Sequence, residues 1–284
     1  MSGAALGRLL PLTRAPGLPL TLRKKLARLV SLPPGIPFRV PVFEGVYLGE
    51  TGSRVDDKVY LYGLHEAATI RLMRRLLRHD RASGRRPVLF DVGTNTGLHL
   101  VACAPLCDAA HGFEPLEPMR LRAEASVAAS GLPNVVIHPF GLSDQAGRLP
   151  FTLPDARNTG TGSFAGAGGG PLLELRRGDD VAAEGGDVPS LVKIDTEGFE
   201  LPVLRGLSRI IAEHRPAIVF EVGGPRGERA ATLRDVAALL PADYRILGLL
   251  RSAERPWLFP LRPGGRCENA LAWPAARGRV PHAG

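Results

Sequence analysis

The chain has 284 residues, 44% of them hydrophobic, and a formal net charge of +8. That is enough for one large domain or two small ones, and no apolar run approaches the roughly 18 residues of a membrane span, so a soluble, cytoplasmic protein is expected. The charge does not by itself establish a nucleic-acid partner: all but four of the 36 basic residues are Arg, in a chain also rich in Ala, Gly and Pro, and no RNA-binding signature accompanies them.

Residues 1–37 form a basic, Pro-rich arm in which no acidic residue occurs; the first is Glu44. No secretory apolar region follows the basic start, so no signal peptide is expected. "TLRKKLARLV" can form a short helix with Leu22, Leu26, Leu29 and Val30 on one side and cations on the other, a pattern suited to an acidic membrane surface. A solvated, partly disordered arm is the preferred expectation. Over residues 38–66, "FRVPVFEGVYLGE" and "DKVYLYG" read as short strands, with turns marked by Gly49, Gly52 and Asp56.

The main domain is expected over residues 67–274, with a tail over 275–284. "EAATIRLMRRLLRH" is an amphipathic helix with Ile70, Met73, Leu76 and Leu77 on one face. Short apolar runs then alternate with helical stretches: "VLFDV", "AAHGFE", "NVVIHPF", "SLVKID" and "AIVFEV" are strands. This alternation predicts a parallel sheet covered on both faces. "YRILGLL" and "NALAWP" add a final antiparallel pair. Phe140 to Gly186 interrupts the alternation with a Gly-rich stretch, "NTGTGSFAGAGGG", in which Asn158, Thr159 and Ser163 are candidates to cover a substrate. Cys103 and Cys107 are one helical turn apart and read as a buried helix face. With Cys267 they are too few for a disulfide framework or a zinc site, and a reducing compartment fits.

The chemistry concentrates at strand ends. "LFDVGTNTG" is a strand, a glycine turn and a helix start, where ligands of open α/β sheets bind. Gly93 and Gly97 allow close backbone approach, and the helix start offers N–H groups. The spacing is G-x-x-x-G, not the G-x-G-x-x-G of a dinucleotide fold. Asp91 is placed to take an amine. Glu114 ends the next strand, placed to accept hydrogen bonds from a ribose diol. A glycine turn with a ribose acid and no diphosphate fingerprint favours S-adenosylmethionine (SAM) over NAD. "SLVKIDTEGFELPVL" then sets Asp195, Glu197 and Glu200 after a buried strand. Glu200 falls in the first turn of the next helix, where a carboxylate suits the dipole. Lys193 shares a sheet face with Asp195 and needs a partner, Asp91 or Glu221.

"FDVGTNTGLHL", "GFEP", "GLSD", "NTGTGS", "KIDTEGFELPVLRG" and "IVFEV" follow one another as in the FkbM family of SAM-dependent methyltransferases. "YGLHE" resembles that family's Gly-x-x-Glu lead-in, and "ENALAWP" its closing strand. The resemblance covers about Tyr60 to Pro274. It implies the class I methyltransferase fold, a Rossmann-like, seven-stranded, mostly parallel sheet with helices on both faces. It further implies that Glu66, Asp91, Gly93, Asn95 and Gly97 line the methionine half of SAM. Glu114 would bind the ribose, Ser143 and Asp144 would approach the adenine, and Asp195 would lie beside the transferred methyl. The expected activity is O-methylation of a small hydroxylated acceptor, a sugar or secondary metabolite.

Such a reaction needs in-line geometry and removal of a proton. Asp195, Glu197, Glu221 and His99 are the candidate bases, His99 reading more readily as a packing residue. Asp195, Glu197 and Glu221 are also suited to Mg²⁺, which would acidify the acceptor hydroxyl. His111, His138 and His214 read as structural. The rival readings are an RNA-directed methyltransferase, an NAD-linked dehydrogenase and a SAM-binding protein without catalysis.

Overall fold

The computed structural model describes residues 11–15, 18, 20–30, 32–153, 164, 170–222, 232–250, 256–261 and 267–281. A helical turn over residues 11–14 leads to helix α1 (Leu20–Ala27). Strands β1 (Pro37–Val42) and β2 (Gly45–Glu50) make an antiparallel hairpin closed by Phe43 and Glu44. The Arg74 guanidinium holds its tip, 2.7 Å from Glu44 and 4.1 Å from the Phe43 ring centre.

Residues 54–62 correct the sequence reading. "DKVYLYG" is not a strand but the end of helix α2 (Arg54–Tyr62). The alternating Val-Tyr-Leu-Tyr suggested period 2, but capping decides the outcome. Ser53 accepts a hydrogen bond from the Asp56 N–H, Asp56 and Asp57 occupy the first turn, and Gly63 closes the helix at φ 79°.

The arm is also not free in solvent over its described residues. Thr13 donates its hydroxyl to the Leu61 carbonyl (2.6 Å), Arg14 donates to Tyr60 (2.8 Å) and Arg23 to Tyr62 (3.1 Å). These are the last carbonyls of α2, which lack partners within the helix and lie at its negative end. The expected apolar stripe splits: Arg23 and Ala27 are buried and Leu26 and Val30 half-buried, while Leu22 and Leu29 are 42% and 57% exposed.

Helix α3 (Ala67–Ala82) buries the expected Ile70, Met73, Leu76 and Leu77, together with Arg74 and Asp80. Asp80 pairs with buried Arg277 near the chain's end. The alternation that follows is β3 (Val88–Val92), α4 (Leu98–Cys103), β4 (Ala109–Phe113), α5 (Glu117–Ala129) and β5 (Val135–His138). The interruption after it is a small sheet of β6 (Gly141–Ser143), β7 (Gly147–Pro150) and β8 (Leu172–Arg177), then α6 (Gly178–Gly185). The chain returns through β9 (Leu191–Ile194), α7 (Glu200–Gly206), α8 (Ser208–His214), β10 (Ala217–Glu221), α9 (Leu233–Leu239), β11 (Tyr244–Leu249), β12 (Leu258–Pro260) and β13 (Asn269–Pro274).

The main sheet runs β12-β11-β13-β10-β9-β3-β4-β5. Strands β3, β4, β5, β9 and β10 are parallel, and β13 is antiparallel to both β10 and β11. The expected seven strands are present, and β12 adds an eighth at the β11 edge. Cys103 and Cys107 are buried as expected, and burial pushes the Cys107 thiol up to about 12. No helix among the described residues is long and apolar enough to cross a membrane.

Side chains alternate across a strand, and here the alternation sorts the chemistry. Leu89, Ala110, Leu191, Ala217 and Val219 face α3 and α4, while Val88, Phe90, Val92, Val192, Ile194, Ile218 and Phe220 face α7, α8 and α9. Continuing each register puts Asp91, Glu114, Lys193, Asp195 and Glu221 on the α3–α4 side, all at the carboxyl ends of their strands.

Candidate active site

The turn after β3 is shaped by left-handed residues: Gly93 (φ 80°), Asn95 (φ 51°) and Gly97 (φ 84°). The two glycines are needed for protein contacts. A Cβ on Gly93 would lie 1.9 Å from the Asp195 carbonyl oxygen, and one on Gly97 would lie 2.9 Å from Ala123 of α5. The turn therefore rests directly on the chain leaving β9.

Glu114, at the end of β4, pins this turn. Its Oε2 accepts from the Asn95 N–H and its Oε1 from the Leu116 N–H, both at 2.9 Å. Each oxygen keeps a second lone pair for another donor. Burial pushes the Glu114 carboxyl up to about 7, against the pull of those two N–H groups. The buried Asn95 Oδ1 and both Asp91 oxygens have no hydrogen-bond partner among the described residues. Asp91 Oδ1 has the Lys193 ammonium at ion-pair distance, which leaves Asp91 Oδ2 and Asn95 Oδ1 as the acceptors without a partner among the described residues.

Lys193 joins the two halves of the site. Its buried ammonium lies 3.4 Å from Asp91 Oδ1 and 3.4 Å from Asp195 Oδ2. Burial alone would lower its pKa, but the charges of Asp195, Asp91 and Glu66 together overturn that and raise it. The lysine is a fixed cation between two carboxylates.

Past β9 the chain makes a sharp turn with Glu197 at φ 51° and Gly198 at φ 100°. Buried Glu200 holds that turn. Its Oε1 accepts from the Thr196 N–H, the Thr196 hydroxyl and the Gly198 N–H, each at 3.1 Å. The helix-start reading of Glu200 stands, with an added duty of fixing the conformation that aims Glu197. Asp195, Glu197 and Glu221 each offer an oxygen within 4.8 Å of the others. Burial, then the charges of Asp195, Glu200 and Glu66, pushes Glu197 up to about 7. Burial and the neighbouring Asp195 and Glu197 push Glu221 up as well, and its buried Oε2 has no hydrogen-bond partner among the described residues.

Glu66 caps the start of α3 in a left-handed conformation, and its Oε2 lies 3.3 Å from His99 Nε2 of α4, at ion-pair distance without hydrogen-bond geometry. Ser143 and Asp144 engage α7: Ser143 donates to Asp144 (3.1 Å), which accepts from Arg205 (2.9 Å). His111 and His138 sit apart from the acids, hydrogen-bonded to each other at 3.1 Å, and His111 contacts Asp187. Asn158, Thr159 and Ser163 lie outside the described residues.

Sequence reasoning missed the support behind the glycine turn. Tyr47 donates to Asp56 (2.7 Å) and shares a 2.6 Å hydrogen bond with Thr96. Asp56 also accepts from Arg122 of α5 at 2.8 and 2.9 Å. The signal was the Ser53-x-x-Asp56 capping pattern, which was read as a turn.

The Methyltransferase FkbM domain model matches residues 91–251, more than half of the chain and the whole stretch from Asp91 through Glu221. The chain belongs to the FkbM methyltransferase family. It is 33% identical over 127 residues to the hexuronic acid methyltransferase AglP of Haloferax volcanii, covering 44% of this chain and 51% of that protein. The chain thus spans about half the length of this curated relative. Among solved structures, the fold is similar to a SAM-dependent methyltransferase from Agrobacterium tumefaciens, with TM-score 0.50 and 11% identity, covering 86% of this chain and 71% of that one. Methyltransferase FkbM from Methylobacillus flagellatus KT also matches, with TM-score 0.46 and 21% identity over 66% of this chain and 43% of that one. The FkbM chain has the class I methyltransferase fold.

Proposed function

We propose that this FkbM chain transfers a methyl group from SAM to a hydroxyl of a small hydroxylated acceptor, a sugar. The observation that carries the reading is the convergence of Asp195, Glu197 and Glu221 beside the Gly93 turn. SAM, when bound, supplies an electrophilic methyl on its sulfonium. The residues with unmet acceptors suit its donors. Asp91 and the Asn95 Oδ1 would meet the methionine amine, with Glu66, Gly93 and Gly97 lining that half. Glu114 would accept from the ribose, and Ser143 and Asp144 would approach the adenine.

On the acceptor side, a carboxyl titrating near 7 is matched to general-base work at neutral pH. Glu197 has that value and sits in a turn fixed by Glu200. Asp195 is held beside Lys193. The name of the AglP relative supports a carbohydrate acceptor. The same three carboxylates have the oxygen donors that Mg²⁺ takes, and a cation there would acidify the hydroxyl.

The test uses methyl-labelled SAM and a panel of hexuronic-acid glycosides. Asp195→Asn and Glu197→Gln keep size and fold but remove charge, so single-turnover transfer should fall by about 10²-fold or more with SAM affinity little changed. Label lost to mild alkali would mark a methyl ester and move the acceptor atom from hydroxyl to carboxylate. Calorimetric Mg²⁺ binding that the same variants remove, with activity lost in EDTA, would assign the carboxylates to a metal. A double variant with near-normal turnover would overturn both roles.

A further inference from the structure

We propose that the N-terminal arm is a docking surface for an anionic lipid bilayer. The inference is independent of the methyl-transfer reading. It rests on which side chains α1 buries and which it presents. Arg23 and Ala27 face the protein, 6% and 5% exposed. Arg23 is committed there, donating to the Thr13 and Tyr62 carbonyls at 2.7 and 3.1 Å. The opposite side of the helix carries exposed Lys25 at its centre. Leu22 and Leu29 lie to one side of Lys25, and Lys24 and Arg28 to the other.

The helical path continues past Ala27, with the Arg28 N–H bonded to Lys24 and the Leu29 N–H to Leu26. Leu22 and Leu29, seven residues apart, therefore share one outward stripe. Leu12, on the preceding helical turn, is also 43% exposed. A folded helix that turns Arg23 inward, half-buries Leu26 and leaves Leu22 and Leu29 outward has apolar surface available for something other than the protein core.

Charge names the occupant. The chain has no acidic residue before Glu44, so nothing on the arm offsets Lys24, Lys25 and Arg28. Cations beside aliphatic side chains match an anionic bilayer, whose headgroups attract the charges and whose acyl boundary takes the leucines. A nucleic acid would reward the cations but leave the leucines in water. The arm is fastened through Arg23 to Tyr62, just before the segment that carries Glu66, so the surface is joined to the body that bears the acidic crevice.

The full chain should cosediment with vesicles of phosphatidylcholine and phosphatidylglycerol, and little with phosphatidylcholine alone. Reversing Lys24, Lys25 and Arg28 to Glu should lower the partition constant by more than 10²-fold, since each cation contributes roughly five-fold near such a surface. Leu22→Ser with Leu29→Ser should weaken the binding that survives raised salt. Circular dichroism and melting temperature check that each variant is folded. Failure to bind anionic vesicles, equal binding to both compositions, indifference to the charge reversals, or tighter binding to an RNA oligomer that the Leu variants do not affect would overturn the proposal.

Discussion

The α-carbon of Gly93 faces the carbonyl of Asp195 so closely that a Cβ would lie 1.9 Å from that oxygen. The SAM-side turn and the acid-bearing turn are therefore one packed unit. Gly93→Ala should cost about 1–3 kcal/mol from its left-handed φ and a similar amount from the backbone clash. Gly198 is different: it is left-handed, but nothing lies within 4 Å of its Cβ position. Gly198→Ala should bear the conformational part alone. Thermal melts and SAM titrations should show Gly93→Ala losing more stability and more SAM affinity than Gly198→Ala. Equal effects would count against the packed unit.

In the proposed reaction, Glu200 acts through Glu197. Removing its carboxylate leaves the Thr196 and Gly198 N–H groups without their acceptor. Glu200→Ala should slow methyl transfer by on the order of 10²-fold, the scale for a misplaced catalytic group. SAM affinity should change little, and Glu200→Gln, which keeps one acceptor oxygen, should restore part of the rate. A fall in SAM affinity matching the fall in rate would contradict a positioning role.

Stability should decline as pH rises. The Glu114 carboxyl titrates near 7 when folded and near 4.5 when unfolded. Between those values the folded chain holds the extra proton, so the slope of unfolding free energy with pH is negative. Urea melts of SAM-free protein at pH 5 and pH 7.5 should show a loss of roughly 2 kcal/mol from this group. Glu114→Gln should flatten the profile. A pH profile that Glu114→Gln leaves unchanged would show that Glu114 is not held protonated.

A chain beginning at Phe38 loses the Thr13, Arg14 and Arg23 bonds to the end of α2. Each is worth about 1 kcal/mol net, so the melting temperature should fall. Circular dichroism should still show the fold, and calorimetry should still show SAM binding. A folded truncation that no longer binds SAM would place the arm in the site.

The sequence made the crevice readable because each strand of a parallel sheet ends at the same edge. Asp91, Glu114, Asp195 and Glu221 each close an apolar run, so the runs alone bring them together. Lys193 was readable for the same reason, by parity with Asp195. The support was harder to see. In α2, an alternating Val59-Tyr60-Leu61-Tyr62 outweighed the Ser53, Asp56 and Gly63 caps, and the helix passed for a strand. In the arm, the leucine spacing marks a stripe but not what it faces. The unsatisfied carbonyls of α2 recruit Arg23, so Leu22 and Leu29 face out while Leu26 and Val30 are half-buried. The three bonds accepted by Glu200 carry no periodic signal, because they depend on the left-handed pair Glu197 and Gly198.

The account stands or falls on what the Gly93–Glu114 crevice binds. Calorimetry of the purified chain with SAM and with NAD measures this directly. SAM should bind, and Glu114→Ala should weaken it by about 1.5–3 kcal/mol, the scale of a hydrogen bond to a charged group. NAD should give no comparable heat. Tight NAD binding without a response to SAM, or SAM affinity indifferent to Glu114→Ala, would contradict it.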